Sequence, residues 1–163
     1  MKENELTGLF NDHPVLSGLT ETVRSNTTTR IGISGLSGSS KAIVIAKVFL
    51  QTSMIHVAIV PEKEDAAYLY NDLSSLTGDD SVFFFPSTYK RSVQYEQTEP
   101  ANIVLRTEVL NFLSSGKRKG IIVTYPESVM EKVISKRNLK KNTFTITKGD
   151  RLSLEFLEEV LHE

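Results

Sequence analysis

The 163-residue chain has no cysteine, carries only three methionines and five prolines, and shows no excess of charge of either sign. Without cysteine it builds neither a disulfide framework nor a thiolate metal site. Its 19 Lys and Arg against 20 Asp and Glu leave a formal net charge of -1. That balance excludes the global basic footprint of a tight nonspecific nucleic-acid binder, so any DNA contact must be local or belong to sequence outside this chain. No apolar run approaches the roughly 20 residues needed to cross a bilayer. No cationic start with an apolar stretch and cleavage site marks export. The expectation is a cytoplasmic protein. What remains is ordinary globular material, 39% hydrophobic and 24% charged with a mean hydropathy of -0.16. Such a chain is not mostly disordered, and its length suits one domain with part of a second.

The chain is organised around one stretch, Ile31 to Ala46, which reads as strand, glycine loop and helix. Before it, Leu6, Leu9 and Phe10 sit at one-turn spacing, and Pro14 to Arg24 forms a short helix with Val15, Leu16, Leu19 and Val23 on one stripe. Thr29 to Ser34 is the expected first strand, with Ile31 and Ile33 alternating against small residues. The following helix, Ser39 to Gln51, is apolar on most sides, as a helix wedged against a sheet would be. Ile55 to Val60 reads as a buried strand and Glu62 to Leu76 as an amphipathic helix with Ala66, Leu69, Tyr70 and Leu73 inward. Ser81 to Phe85 is another apolar strand. A polar segment from Ser87 to Pro100 precedes a helix from Ala101 to Ser114 that is expected to bury Ile103, Val104, Leu110 and Leu113. Ile121 to Thr124 is a further strand, and Pro126 opens a short helix through Val133. This alternation predicts an α/β fold, a mostly parallel sheet flanked by helices with its ligand crevice at the carboxyl ends of the strands. Beyond Ser135 the pattern changes. Thr143 to Thr147 alternates like the start of a new sheet, and Leu152 to Leu161 reads as a helix with Leu154, Leu157, Val160 and Leu161 on its apolar face. The end of the chain reads as an incomplete second domain.

The glycine loop carries the chemical question. A nucleotide-binding phosphate loop is written G-x-x-x-x-G-K-[ST], and Gly35-Leu36-Ser37-Gly38-Ser39-Ser40-Lys41-Ala42 keeps its first glycine and its lysine. Ser40 replaces the glycine that lets backbone approach phosphate, and Ala42 has no oxygen to give a magnesium ion. Losing a charge-assisted ligand costs about 1.5–3 kcal/mol, so weak anion binding survives more easily than turnover, which depends on positioned metal and charge. No strand ends in an aspartate able to hold magnesium. Glu62 is the one acid just past a strand, and it reads as a first-turn helix residue. The candidate site is therefore a degenerate cradle made of Gly35, Ser37, Gly38, Ser39, Ser40, Lys41 and Ala42, binding an anion at most, with no catalytic residue and no metal.

That loop, with Val57-Ala58-Ile59-Val60-Pro61 leading into Ala66-Ala67-Tyr68-Leu69, then Phe84-Phe85-Pro86-Ser87, Arg106 and Ile121-Ile122-Val123-Thr124, resembles the N-terminal module of bacterial transcription-repair coupling factors. The order and spacing of these pieces carry the likeness, which runs through most of the chain. The module is itself similar to the first domain of the UvrB excision-repair helicase, and Lys148-Gly149-Asp150-Arg151-Leu152 resembles the entry into its second domain. The resemblance implies a RecA-like P-loop NTPase fold over residues 1–138 with a degenerate phosphate loop, and the start of a small α+β domain of the UvrA-binding type over residues 139–163. It further implies a noncatalytic role in nucleotide excision repair, helping to recruit UvrA and restraining a downstream motor. In that family the ATP- and magnesium-dependent DNA translocase and the RNA-polymerase-binding domain lie downstream. The UvrA-contacting surface belongs mainly to the second domain, so no contact residues carry over.

A competing reading is a small P-loop ATP-using enzyme, a kinase or ATPase. Tyr89, Lys90, Arg91 and Tyr95 stand where UvrB relatives insert an aromatic hairpin behind damaged DNA, but the segment reads more simply as a surface loop. Lys117, Arg118 and Lys119, like Lys136, Arg137, Lys140 and Lys141, read as solvated charge. His13, His56 and His162 have no partner at metal-ligand spacing.

Overall fold

The computed structural model describes residues 8, 13–25, 28, 30–89, 99–141, 143–144, 146–149, 151–156 and 158. The chain divides into two units, residues 1–132 and 133–163.

In the first unit three parallel strands, β1 (Ile55–Ile59), β2 (Val82–Phe85) and β3 (Gly120–Thr124), form one sheet in the order β1-β3-β2. Parallel neighbours require crossovers, and helices supply them. The helices of this unit are α1 (Pro14–Arg24), α2 (Ser40–Gln51), α3 (Lys63–Thr77), α4 (Pro100–Ser114) and α5 (Pro126–Met130). The expected α/β class is therefore observed, with a small parallel sheet and flanking helices.

Strand alternation sends successive side chains of β3 to opposite faces, and each face selects its own cover. Ile121 and Val123 meet Ala42, Ala46 and Phe49 of α2 and Ala66, Leu69 and Leu73 of α3. Ile122 on the other face meets Val109 and Phe112 of α4, with Phe83 and Phe85 packed alongside. The Phe83 and Phe112 rings stack with centroids 4.3 Å apart. Helices thus lie on both faces, and β3, enclosed between its neighbours, is buried along its whole length.

Several expectations fail for reasons the packing makes plain. Residues 30–34 form no strand, since no ladder pairs this segment with the sheet. Ile31 and Ile33 instead line a cleft of about 630 Å³ with Leu16 and Leu19 of α1 and Ile43 of α2. β1 is an edge strand and not a buried one: Ile55, Val57 and Ile59 alternate outward, with Val57 58% exposed. On α4 the inward stripe is Asn102, Arg106, Val109 and Phe112, while Ile103, Val104 and Leu113 are exposed. On α1 Val15 is exposed and Thr20 is buried, its hydroxyl donating to the Leu16 carbonyl at 2.9 Å.

In the second unit the polar stretch at Ser135 opens a helix, α6 (Lys136–Lys141), anchored by the buried Leu139. Thr143 donates its hydroxyl to the Leu139 carbonyl at 2.7 Å, extending the turn. The described residues between Thr143 and Thr147 are not in a strand. Phe144 and Phe156 pack edge to face at 5.5 Å. Of the expected C-terminal helix, residues 154–156 and 158 are helical, and Leu154 is exposed. Leu157, Val160 and Leu161 lie outside the described residues, as do Leu6, Leu9, Phe10, Lys90, Arg91, Tyr95 and His162. No helix among the described residues is long and apolar enough to cross a membrane.

Candidate functional site

The glycine loop adopts the turn its composition predicts. Gly35 and Gly38 hold φ of 81° and 53°, a region that favours glycine, and Ser39 stands at the N-cap position of α2 without a side-chain capping bond. The Ser40 hydroxyl donates back to the Ser37 carbonyl at 2.6 Å, so it is engaged within its own turn. Gly35, Ser37, Gly38, Ser39 and Lys41 are exposed. The Lys41 ammonium is bound to no other described residue, whereas Ala42 is 1% exposed inside the core of the sheet's first face.

This arrangement was tested against a magnesium-nucleotide, and the residues do not fit one. The methyl of Ala42 offers no donor oxygen and is packed against apolar neighbours. Glu62 is the extended residue ahead of α3, its carbonyl accepting from the Ala66 amide at 3.0 Å, as a helix-start residue does.

The most elaborate polar site lies at the carboxyl ends of β2 and β3, where the fold class places its crevice. Arg106, 5% exposed on α4, donates through Nη1 to the Pro86 carbonyl at 2.8 Å and the Ser128 carbonyl at 3.2 Å. Its guanidinium lies 4.1 Å from the centroid of Phe85 and 3.7 Å from Glu131 Oε2. Glu131 accepts from the Ser87 hydroxyl at 3.0 Å, the Thr88 amide at 2.9 Å and the Thr88 hydroxyl. The Ser87 amide donates to the Tyr125 hydroxyl at 2.9 Å, and Asn102 Nδ2 donates to the Ser87 carbonyl at 2.8 Å.

The electrostatics follow from these contacts. Burial pushes the Glu131 carboxyl up, but hydrogen bonds from Thr88 and Ser87 and the charge of Arg106 outweigh it and hold the group below its ordinary value. Burial draws the Arg106 guanidinium down, opposed by Glu131, Tyr125 and Tyr89. Arg106 Nη2 and the Ser128 hydroxyl are buried without a partner among the described residues. The cluster holds both ends of the segment between Pro86 and Glu99, where the Glu99 amide also donates to the Thr88 carbonyl at 2.8 Å.

Sequence reasoning placed Arg106 within a resemblance but gave no role to Glu131, Ser87, Thr88 or Tyr125. The available signal was Asn102, Arg106 and Val109 at i, i+4 and i+7, a helical stripe whose polar members need partners if buried. A comparison with known protein families and with curated proteins finds no match for this chain.

Proposed function

We propose that this chain is the noncatalytic N-terminal module of a bacterial transcription-repair coupling factor, a cytoplasmic RecA-like P-loop fold whose phosphate loop no longer supports ATP chemistry. The observation that carries the reading is Ala42, an apolar core residue at the position where a working loop presents its magnesium-binding hydroxyl. In the longer protein such a module serves nucleotide excision repair, helping to recruit UvrA through the domain that follows. It also restrains the ATP-dependent translocase that acts on DNA and stalled RNA polymerase.

Chain direction supports the RecA-like part. The crossover from β1 through α3 to β2 passes over the face carrying Ile121 and Val123, and α2 covers that same face on its way into β1. Since parallel crossovers share one hand, a strand at residues 30–34 would lie on the open side of β1, away from β3. That edge of β1 is unpaired among the described residues.

Purified residues 1–163 should release no phosphate from ATP with magnesium above the buffer rate. Turnover would favour the alternative, a small P-loop kinase or ATPase. A chain continued through the complete second domain should capture UvrA, with weak or no capture by residues 1–163. Strong capture by the shorter chain would put the partner surface in the wrong domain.

A further inference from the structure

We propose that α6, with the Phe144–Phe156 pair that follows it, is a binding surface for single-stranded nucleic acid. The surface goes beyond the repair reading and does not depend on it. Between residues 133 and 149 the sequence has five cations, Lys136, Arg137, Lys140, Lys141 and Lys148, and no carboxylate, while Asp150, Glu155 and Glu158 follow around Phe156. The four cations of α6 are all exposed, and none is ion-paired among the described residues.

This helix is electrostatically self-opposed. Lys136 with Lys140 and Arg137 with Lys141 are like-charge pairs at i, i+4, each destabilising by about 0.2–0.5 kcal/mol. Lys136 and Arg137 also occupy the first turn, the positive end of the peptide dipoles, with no acid there to offset them. A helix of six residues tolerates this because Leu139 is buried and the Thr143 hydroxyl donates to the Leu139 carbonyl. A polyanion laid along it relieves the repulsion and releases counterions.

Three features select the class of polyanion. The only apolar side chain of α6 is the buried Leu139, so the helix has no face to insert into lipid. Phe144 begins one turn beyond Lys141 and is 47% exposed, paired with the partly exposed Phe156. Cations that track phosphates, followed in the chain by exposed rings able to stack on bases, are the elements of single-strand binding, and an acidic polypeptide has no use for the rings.

The test is fluorescence anisotropy of the full chain with a labelled thymidine oligonucleotide of about 20 residues, long enough for one such site. Four phosphate contacts at about -0.7 each predict a log–log salt slope near -3, about a 50-fold loss of affinity between roughly 50 and 200 mM salt. Replacing Lys136, Arg137, Lys140 and Lys141 together with glutamine should flatten that slope. Glutamine removes like charge from α6, so circular dichroism should show the helix retained. Phe144→Ala should weaken binding about 5- to 100-fold and leave the slope unchanged. An unaltered slope in the four-glutamine variant overturns the proposal. So does equal affinity for polyglutamate or for phosphatidylserine vesicles at the same salt.

Discussion

The glycine loop and the Arg106 cluster invert what a motif reading leads one to expect. The loop has the recognisable residues, yet its side-chain bonding is local, Ser40 reaching back three positions to Ser37. The cluster matches no motif, yet its side-chain bonds join residues separated by 15 to 44 positions in sequence. A motif records which chemistry a segment once needed or resembles, whereas long-range bonding records what the fold now depends on. The sharpest difference should therefore appear in stability: replacing side chains of the cluster costs much and replacing the loop's lysine little.

The largest effect is expected at Arg106. Its side chain is 6% exposed and that of Glu131 13%, so Arg106→Met removes the cation beside a mostly buried carboxylate and the donor to the Pro86 and Ser128 carbonyls. Losing a charged hydrogen-bonding partner typically costs about 1.5–3 kcal/mol. Urea denaturation should show that loss, with the double variant Arg106→Met, Glu131→Gln recovering part of it. A cost under about 1 kcal/mol would reduce the cluster to the rank of the loop.

Next comes the seat of the helix that carries Arg106. A Cβ added at Gly120 would lie 2.5 Å from the Phe112 ring, so α4 docks on β3 only because position 120 has no side chain. Gly120→Ala should cost about 1–3 kcal/mol through overpacking. Phe112→Leu in the same chain should relieve part of that cost, since residues in contact are coupled. If the two substitutions add without coupling, the clash is not the cause.

Acid titration separates the two regions in another way. Glu131 is held below its ordinary value near 4.5, so the unfolded chain binds that proton more readily than the folded one. The stabilisation is present above the ordinary carboxylate range and is lost as pH falls through the depressed folded value. Denaturation midpoints followed downward from pH 6 should fall less steeply in Glu131→Gln than in the unaltered chain. His56 adds a decline of its own at higher pH. Burial, and then Lys119, hold its imidazole below 6.5, so protonation disfavours the folded state as pH drops through that range.

How far the sequence disclosed this arrangement depends on which physical signal each element leaves. The alternation of helices with β2 and β3 was legible because apolar runs ending at Pro86 and at Tyr125-Pro126 mark parallel strands. The glycine turn was legible because Gly35 and Gly38 supply the φ values it needs. Exposure of β1 was not: Ile55 to Ile59 has the composition of a central strand, and its edge position depends on which strands are its neighbours. Residues 30–34 show the same limit, since alternation names a strand only when a partner supplies the ladder. The Arg106 cluster was hidden because a stripe search follows aliphatic side chains. On α4 that favours Ile103 and Val104 over Asn102 and Arg106, which donate to the carbonyls of Ser87, Pro86 and Ser128.

The smallest effect is expected at Lys41, and it is the one that isolates the loop from its motif. The side chain is exposed and bound to no other described residue, so Lys41→Ala should alter stability by less than about 0.5 kcal/mol. Gly38→Ala, which forces a side chain into a left-handed backbone at φ 53°, should cost about 1–2 kcal/mol. The contrast between neighbours three residues apart assigns the loop's remaining value to its turn and not to its cation. A cost at Lys41 as large as that at Gly38 would mean that the ammonium is engaged in the folded protein. The loop would then be, like the Arg106 cluster, a site the fold depends on.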